Sequence, residues 1–378
     1  MGIYMDNAAT TMQKPDCVID AVVNAMRHMG NSGRGAHEAS LDASRLIYET
    51  REMLSELFNL GDPRQVAFTL NSTEALNTAI LGLFDPGDHI ISTVMEHNSV
   101  LRPLYRLEEK GCQVSFVPCD EKGRLRTDLL ESFLKENTKA LVCTHASNLT
   151  GNANDLMYLG RFCKDHGLLF VVDASQTAGV LPIDMQAMNI DVVCFTGHKG
   201  LYGPQGTGLL LCGQTPPPLL EGGTGSESIR QEMPDFLPDR LEAGTHNIAG
   251  IAGLLEGLRF VEKQGVQSIG SHERALTVQM GEALAQLPGV EVFRSKDPSQ
   301  QAGVLSFRVS GMDCEELGEA LGRRDIALRS GLHCAPLAHR TAGTLETGTV
   351  RASVSAFNVP QEIPRFVREL RQILSEKP

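Results

Sequence analysis

The chain has 378 residues, of which 42% are hydrophobic and 21% are charged, the balance of a globular protein that buries a core. Its 46 acidic residues outnumber its 34 basic residues, so the formal net charge is −12. No run of Lys and Arg stands out, which argues against a nucleic-acid-binding protein because phosphate recognition needs a concentrated basic face. No apolar run approaches the ~20 residues of a membrane-spanning helix, so no membrane association is expected.

The nine cysteines are scattered along the chain, and none belongs to a Cys-x-x-Cys pair. This spacing predicts neither a zinc site nor a disulfide framework, and we expect no bound metal. Free thiols in this number are typical of a reducing compartment. No basic stretch followed by an apolar one marks a signal peptide, so we expect a cytoplasmic protein.

The first two thirds of the chain alternate apolar runs with helical patterns. Most of the runs are continuously apolar, as in strands that are covered on both faces, and the helical segments between them are typical of parallel crossovers. The pattern therefore predicts an α/β fold with a mostly parallel seven-stranded sheet. The predicted strands are Val66–Leu70, His89–Thr93, Val114–Val117, Ala140–Thr144, Leu168–Val172, Val192–Phe195 and Gly208–Cys212.

Beyond Cys212 the pattern changes. A Pro- and Gly-rich stretch from Thr215 to Gly225 predicts a long loop, and a helix is predicted over Ile248–Gln264. Later segments predict a smaller α+β domain. Its predicted elements are strands Val290–Arg294, Val304–Val309 and Thr349–Ser355 with helices Asp313–Gly322 and Pro360–Glu376. We therefore divide the chain into a large domain, residues 15–250, and a small domain, residues 1–14 and 251–378.

Two polar residues follow strands near the middle of the chain. Asp173 begins Asp173-Ala174-Ser175-Gln176 after one strand, and Lys199 follows the next strand 26 positions later. Pyridoxal phosphate (PLP) requires two such groups from its protein. A lysine amine condenses with its aldehyde, and a carboxylate keeps its pyridine nitrogen protonated. Considered alone, Asp173 could also be a ligand of a nucleotide or a metal. Lys199 alone could be an ordinary lysine in a solvated loop. The glycines around Lys199 lack the GxxxxGK[ST] order and precede a strand rather than a helix, which argues against a nucleotide-binding loop.

A third motif lies far downstream, in Arg329-Ser330-Gly331-Leu332-His333-Cys334-Ala335-Pro336. It adds Cys334 as a possible thiol nucleophile, although a small buried residue in a turn is the ordinary reading of a lone cysteine. With the three motifs in this order, the chain resembles the cysteine desulfurase and selenocysteine lyase family, in particular its group II branch. That family belongs to the class V aminotransferases, PLP enzymes of fold type I.

The resemblance implies a role for further residues at the cofactor. Asn71 and Glu74 form a capping box that by itself explains the local sequence, but the helix start also offers Ser72 and Thr73 to a phosphate. The other cofactor-binding residues that it implies are Asp173, Gln176, His97, Asn148, Thr196, His198, Lys199 and, from a second subunit, Thr245. The family histidine that matches His97 stacks on the PLP ring and can relay protons, so His97 joins Lys199 and Cys334 as an expected catalytic residue.

The resemblance also implies a substrate site and a dimer. Arg351 matches the arginine that binds the substrate carboxylate, although a surface salt bridge would explain it equally well. The other expected substrate-binding residues are Asn148, Arg329 and Arg34, the last in an entrance loop that also holds His37. The segment Gly244-Thr245 matches one that crosses the subunit interface, so the resemblance implies a homodimer.

Three features depart from the group II pattern. The chain starts almost at its Tyr4–Thr11 motif, without the helix that commonly precedes it. Gly200 is an additional residue after Lys199, and Leu332 stands where a histidine usually precedes His333-Cys334. These two changes fall beside the expected lysine and thiol, but both groups are kept.

The resemblance implies an enzyme that converts L-cysteine or L-selenocysteine to L-alanine. Lys199 would remove the Cα proton, and the Cys334 thiolate would take the sulfur as a persulfide. The resemblance also implies an acceptor protein for the sulfur or selenium. One alternative is a class V PLP aminotransferase that acts on a small amino acid and does not use Cys334. Another is a non-catalytic scaffold in sulfur-cluster assembly that has kept only the fold.

Overall fold

The computed structural model describes residues 2–33, 35–120 and 122–376. The strands in these residues are β1 Ile3–Tyr4, β2 Val66–Thr69, β3 His89–Thr93, β4 Gln113–Val117, β5 Thr138–Thr144, β6 Leu169–Asp173, β7 Val192–Thr196, β8 Gly208–Cys212, β9 Val290–Phe293, β10 Val304–Val309, β11 Ile326–Ala327, β12 Arg329–Gly331 and β13 Thr349–Ser353. The helices are α1 Asp16–His28, α2 Glu38–Leu57, α3 Ser72–Leu83, α4 Asn98–Glu109, α5 Leu156–Asp165, α6 Ile248–Gln264, α7 Val266–Ala285, α8 Cys314–Gly322, α9 Pro336–Thr341 and α10 Glu362–Ser375.

A seven-stranded sheet of order β2-β8-β7-β6-β5-β3-β4 forms the larger part of the molecule. Strand β8 runs antiparallel to both of its neighbours, and the remaining pairs are parallel. The predicted α/β fold with a mostly parallel seven-stranded sheet is therefore confirmed, and no predicted strand end differs by more than two residues. The segment between Cys212 and the helix α6 contains no strand among the described residues, as its Pro and Gly content predicts.

Helices cover both faces of this sheet, which explains why its strands are apolar throughout. On one face, α3 and α4 pack Ile80 and Leu104 against sheet residues such as Val171. On the other face, α5 and α6 contribute Leu159 and Leu254 to a core around Phe195. Removing apolar surface from water on both faces is the main stabilising contribution to this layer.

The parallel strands present their carboxyl ends at one edge of the sheet. Strands β3, β5, β6 and β7 end there at Thr93, Thr144, Asp173 and Thr196. Side chains that follow neighbouring parallel strands are thus brought together, and this edge is where ligands bind in open α/β sheets.

A second core lies in the smaller unit. A four-stranded antiparallel sheet of order β12-β13-β10-β9 packs Phe307 and Val350 against Phe366 of α10, and Ile3 and Met5 from the N-terminus join them. Strand β1 pairs in parallel with β11. The N-terminal residues thus share a core with the C-terminal part of the chain.

The long helix α6 connects the two units. Its residues Leu254, Leu258 and Val261 lie in the core of the large sheet although they follow residue 250. The division of the chain at residue 250 stays a prediction. Across the described part of the chain, no helix combines the length and the apolar character needed to cross a membrane.

Candidate active site

A cavity of about 180 Å³ opens at the carboxyl edge of the large sheet. It draws residues from the ends of several strands and from the first turn of α3. Nine of the residues predicted to bind the cofactor line it, namely Ser72, Thr73, His97, Asn148, Asp173, Gln176, Thr196, His198 and Lys199. Residues that are far apart in the sequence thus converge on one site, as the strand-end argument predicts.

Lys199 lies in a tight turn that follows β7. Its carbonyl oxygen accepts a hydrogen bond from the Tyr202 amide at 2.9 Å, and Tyr202 adopts a left-handed backbone conformation with φ of 57°. The additional residue Gly200 packs against the backbone, since a Cβ atom there would lie 2.5 Å from the carbonyl oxygen of Ala178. Only glycine fits this close approach, so the turn after Lys199 requires glycine at this position.

The amine of Lys199 is removed from water, and burial lowers its pKa to about 8. The neighbouring Asp173 carboxylate opposes this shift, whereas the guanidinium groups of Arg351 and Arg329 add to it. An amine with this pKa is partly neutral near pH 7, and a neutral amine is what condensation with an aldehyde and proton abstraction require.

Asp173 is buried at the end of β6, where one of its oxygens is held in place. Oδ1 accepts hydrogen bonds from the Ser175 amide at 2.9 Å and from the Ser175 hydroxyl at 2.5 Å. The hydroxyl of Ser72 lies 2.6 Å from that of Ser175 and extends the chain to α3. Oδ2 accepts no hydrogen bond from a described residue, so it is available to a ligand. The sequence analysis assigned no role to Ser175, although it lies within the motif that begins at Asp173.

His97 caps α4 and bridges the cavity to α3. Its Nδ1 accepts a hydrogen bond from the Ser99 amide at 3.1 Å, which places the ring proton on Nε2. The Ser99 hydroxyl lies 2.8 Å from the same Nδ1 and 3.0 Å from the Thr73 hydroxyl. Burial lowers the pKa of His97 to about 4, despite the opposing charge of Asp173, so the ring is neutral at pH 7.

Arg351 of the small unit contacts Asn148, which lines the cavity, and its charge acts on Lys199. The Arg351 side chain is only 3% exposed; its Nη1 donates to the carbonyl oxygen of Asn148, and its Nη2 lies 3.2 Å from Asp6 Oδ1. Two buried atoms have no hydrogen-bond partner here, Arg351 Nε and Asn148 Oδ1. Buried polar atoms without partners are costly, so these two favour a bound ligand. Asp6 is a further site residue that the sequence analysis did not single out.

The remaining residues of the cavity have contacts of their own. Thr196 donates its hydroxyl to the carbonyl oxygen of Thr207 at 3.2 Å, and Gln176 donates to that of Ala8 at 3.2 Å. His198 Nδ1 lies 2.9 Å from the Thr10 hydroxyl, and burial lowers the pKa of the His198 ring to about 4. Phosphate binding by Thr196 and His198 stays a prediction.

Cys334 is exposed and lies beside this cavity rather than inside it. It lines a second cavity, of about 350 Å³, which shares Thr73, His97 and Ser99 with the first. Both His333 and Cys334 have left-handed backbone conformations, with φ of 47° and 56°. Such conformations are uncommon for residues other than glycine and tend to occur at functional sites.

Two residues that precede Cys334 in the motif, His333 and Arg329, differ in their charge. His333 is buried, and its Nε2 lies 3.1 Å from the Thr349 hydroxyl. Burial, assisted by Arg351, lowers the pKa of His333 to about 2, so this neutral ring brings no positive charge to the thiol. Arg329 is exposed on β12, directly opposite Arg351 of β13.

Two expected site residues lie elsewhere. Thr245 lines two other cavities, together with His246 and Gly244, and is not part of the Lys199 cavity. Arg34, expected at the substrate, is outside the described residues. His37 of the same loop is exposed and directly precedes α2.

Comparison with known proteins identifies the family of the chain. The Aminotransferase class-V family model matches residues 3–366. A probable cysteine desulfurase of Methanothermobacter thermautotrophicus is 35% identical, over 98% of this chain and 94% of its own. The chain belongs to the cysteine desulfurase family of the class V aminotransferases.

Solved structures of this family have the same fold. The apo structure of the cysteine desulfurase from Thermococcus onnurineus superposes with a TM-score of 0.92 at 32% identity, covering 99% of this chain and 95% of that one. The cysteine desulfurase CsdA of Escherichia coli, solved as an S-sulfonic acid, gives a TM-score of 0.88 at 30% identity, with the same coverage.

Proposed function

We propose that this family member is a PLP-dependent cysteine desulfurase that converts L-cysteine to L-alanine and takes up the sulfur on Cys334. The observation that carries the proposal is the position of Cys334. An exposed thiol opens onto a cavity that adjoins the Lys199 cavity, and His97 lines both. An aminotransferase needs no such thiol, and a scaffold would not need the Lys199 and Asp173 pair.

Enzymes of this family use PLP, and the residues of the Lys199 cavity fit that group. When bound, PLP supplies an aldehyde for amines and a protonated ring that withdraws electrons from Cα. Lys199 offers an amine with a lowered pKa, and Asp173 offers its free Oδ2 to the pyridine nitrogen. The N-terminal turn of α3, with Ser72 and Thr73, faces the same cavity and suits a phosphate.

Arg351 is the group that suits the substrate carboxylate. Its Nε has no partner, so Nε and Nη2 can present a fork to a carboxylate while Nη1 stays bound to Asn148. Nη2 already contacts Asp6, which preserves the charge balance of the buried guanidinium before the substrate arrives. Arg329, on the opposite strand, adds positive charge near the same position.

Two side chains then carry out the transfer. Lys199 Nζ, whose pKa is lowered by burial, would be the base that takes the proton from Cα. The Cys334 thiolate attacks the substrate sulfur, so a sulfur–sulfur bond forms while the carbon–sulfur bond breaks and its electrons return to Cβ. A proton delivered to Cβ and the return of the proton from Lys199 to Cα complete alanine, and the Nε2 proton of His97 is suitably placed between the two cavities to be relayed to Cβ.

An assay of both products tests this function. PLP-loaded protein mixed with L-cysteine and a reductant should release alanine and sulfide in equal amounts. Transamination of a small amino acid, with consumption of a keto acid and no sulfide, would instead support the aminotransferase alternative. L-Selenocysteine, assayed side by side, establishes which chalcogen this enzyme prefers.

The proposal extends to a homodimer. Thr245 lies outside the Lys199 cavity of its own chain, which supports a role at the site of a second copy. We also propose a cytoplasmic location, supported by the nine cysteines, all of which are free thiols. Fractionation of cells that produce the protein, followed by immunoblotting, tests the location.

A further inference from the structure

We propose that Asp6 is a specificity-determining residue of the Arg351 site. Its carboxylate lets the site bind amino acids but disfavours carboxylic acids that lack an amine. This inference rests on the proposed function, in which Arg351 binds the substrate carboxylate. It adds a physical reason why the enzyme binds amino acids rather than anions in general.

The backbone of the small unit holds Asp6 beside Arg351. The Ser353 amide donates to the carbonyl oxygen of Met5 at 2.8 Å, and Asp6 forms a parallel bridge with Ser353. Arg351 lies two residues before Ser353 on the same strand, β13. The Asp6 carbonyl oxygen accepts a further hydrogen bond from the Ala9 amide at 3.1 Å. The contact between the two charged side chains therefore rests on a fixed backbone.

This contact occupies part of the guanidinium that the substrate carboxylate needs. Asp6 Oδ1 lies 3.2 Å from Arg351 Nη2, whereas the buried Nε of Arg351 has no partner. A carboxylate that binds the fork of Nε and Nη2 shares Nη2 with Asp6, so two negative charges meet on one guanidinium. The Arg351 side chain is buried, and charges that are removed from water are screened little. Asp6 therefore repels any carboxylate that Arg351 attracts.

The negative charge of Asp6 also reaches the amine of Lys199. Burial lowers the pKa of Lys199 to about 8, and Asp6 is one of the charges that oppose this shift. The substrate amine must reach the same cofactor aldehyde as the Lys199 amine, so Asp6 attracts a substrate ammonium there. For an amino acid, this attraction offsets the repulsion of the carboxylate. A carboxylic acid without an amine meets the repulsion alone, and this difference in affinity is the selectivity.

The other charged groups around this position do not supply the same selectivity. Arg329 lies opposite Arg351 in the sheet, and its positive charge acts on both Arg351 and Lys199. It attracts every anion alike. Asp173 attracts an amine, but it lies at the end of β6 and does not pair with Arg351. Without the charge of Asp6, two arginines would thus be open to any small anion.

Two ligands that differ only in the amine test the proposal. L-Alanine is the expected product of the enzyme, and propionate is the same molecule without its amine. Isothermal titration of each ligand into the PLP-loaded protein gives its dissociation constant, and this measurement needs no turnover. The buffer should be low in chloride and sulfate, because these anions would compete for the arginines.

Asp6→Asn removes the charge but keeps the size of the side chain and an oxygen that can contact Nη2. We expect this variant to bind propionate about tenfold more tightly than the unmodified protein, whereas its affinity for L-alanine should change by less than about twofold. Asp20→Asn, which removes an exposed charge from α1, should match the unmodified protein. If thermal melts show that Asp6→Asn is poorly folded, the smaller neutral variant Asp6→Ser gives the same comparison.

Three outcomes overturn the proposal. An unchanged affinity for propionate would mean that the charge of Asp6 does not act at the Arg351 site. Weaker binding of both ligands would make Asp6 only a structural support of Arg351, and equal tightening of both would exclude selection by the amine. Failure of the unmodified enzyme to release alanine and sulfide from L-cysteine would contradict the desulfurase function but leave the binding result intact, so the two failures are distinguishable.

Discussion

The carbonyl oxygen of Cys334 accepts a hydrogen bond from the backbone nitrogen of Asn98 at 2.7 Å. Asn98 is the first residue of α4 and directly follows His97. The loop that carries the thiol is therefore tied to the residue next to the imidazole of the Lys199 cavity. This backbone hydrogen bond holds the thiol-bearing loop beside the start of α4, next to His97, and so favours transfer between the two adjoining cavities.

Lys199 should carry the cofactor. Borohydride reduction of the PLP-loaded protein, followed by peptide mapping, should place the phosphopyridoxyl group on Lys199, because its amine has the lowered pKa and lies beside Asp173. Lys199→Ala should lose turnover and bind PLP only non-covalently. Lys164→Ala, which changes a lysine at the end of α5, is a matched control. A label on any other lysine would overturn this map of the site.

Arg351 should set the affinity for the substrate carboxylate. Arg351→Lys keeps the charge but loses the planar fork, so we expect KM for L-cysteine to rise by about tenfold or more with a smaller change in kcat. Steady-state kinetics measure both constants. Arg371→Lys, on the exposed side of α10, should leave them unchanged. An unaltered KM in Arg351→Lys would show that the carboxylate binds elsewhere.

Glu96 should make the stability of the fold depend on pH. This carboxyl is fully buried, its Oε2 has no partner, and burial raises its pKa from 4.5 to about 8. Below about pH 4.5 the carboxyl is protonated in both the folded and the unfolded protein. Between about pH 4.5 and pH 8 the Glu96 carboxyl ionises in the unfolded protein but stays protonated in the folded protein. The contribution of Glu96 to the free energy of unfolding is therefore lost as the pH rises through this range.

Glu96→Gln cannot ionise, and its Tm relative to the unmodified protein should therefore rise between pH 5 and pH 8. A gain of about 1–2 °C corresponds to each kcal/mol in a protein of this size. Thermal melts across this range measure the difference. The exposed Glu136→Gln should show no such trend. A Tm difference that stays flat with pH would mean that Glu96 is ionised in the folded protein.

The active sites should be composite between two copies of the chain. Sedimentation should give about twice the 41.0 kDa of one chain. If Thr245 serves the site of the second copy, mixing Lys199→Ala with Thr245→Val chains should give heterodimers with one site that has both residues intact. Activity above that of either variant alone is expected after mixing. An active, PLP-bound monomer would contradict the dimer.

The strands and most of the site residues were predictable because strand ends are local features. Continuous apolar runs mark the buried strands, and Asp173, Asn148 and Lys199 lie at or within four residues of the ends of such strands. Parallel strands then bring these residues to one edge by geometry alone. The helix α3 was predictable for a similar reason, since Asn71 accepts from the Glu74 amide at 3.0 Å as its capping pattern requires.

Contacts between distant segments were not predictable in this way. The pairing of Asp6 with Arg351 joins residues from opposite ends of the chain, and no local pattern links them. Ser175 could have been found from its place in the Asp173 motif, but its bond to Ser72 depends on the docking of α3. The neutral state of His333 likewise follows from burial, which sequence proximity to Cys334 does not reveal.

The central claim is that sulfur passes through Cys334, and mass spectrometry of that residue tests it most directly. After one turnover with L-cysteine and no acceptor, the Cys334 peptide should carry one additional sulfur atom, with one alanine released per active site. Cys334→Ala should keep the PLP chromophore and lose cysteine desulfuration by about a hundredfold or more, while part of its activity on selenocysteine survives. Cys17→Ala, the variant of the other exposed cysteine, should match the unmodified enzyme. Unmodified Cys334 after turnover, together with desulfuration by Cys334→Ala at the original rate, would contradict the account.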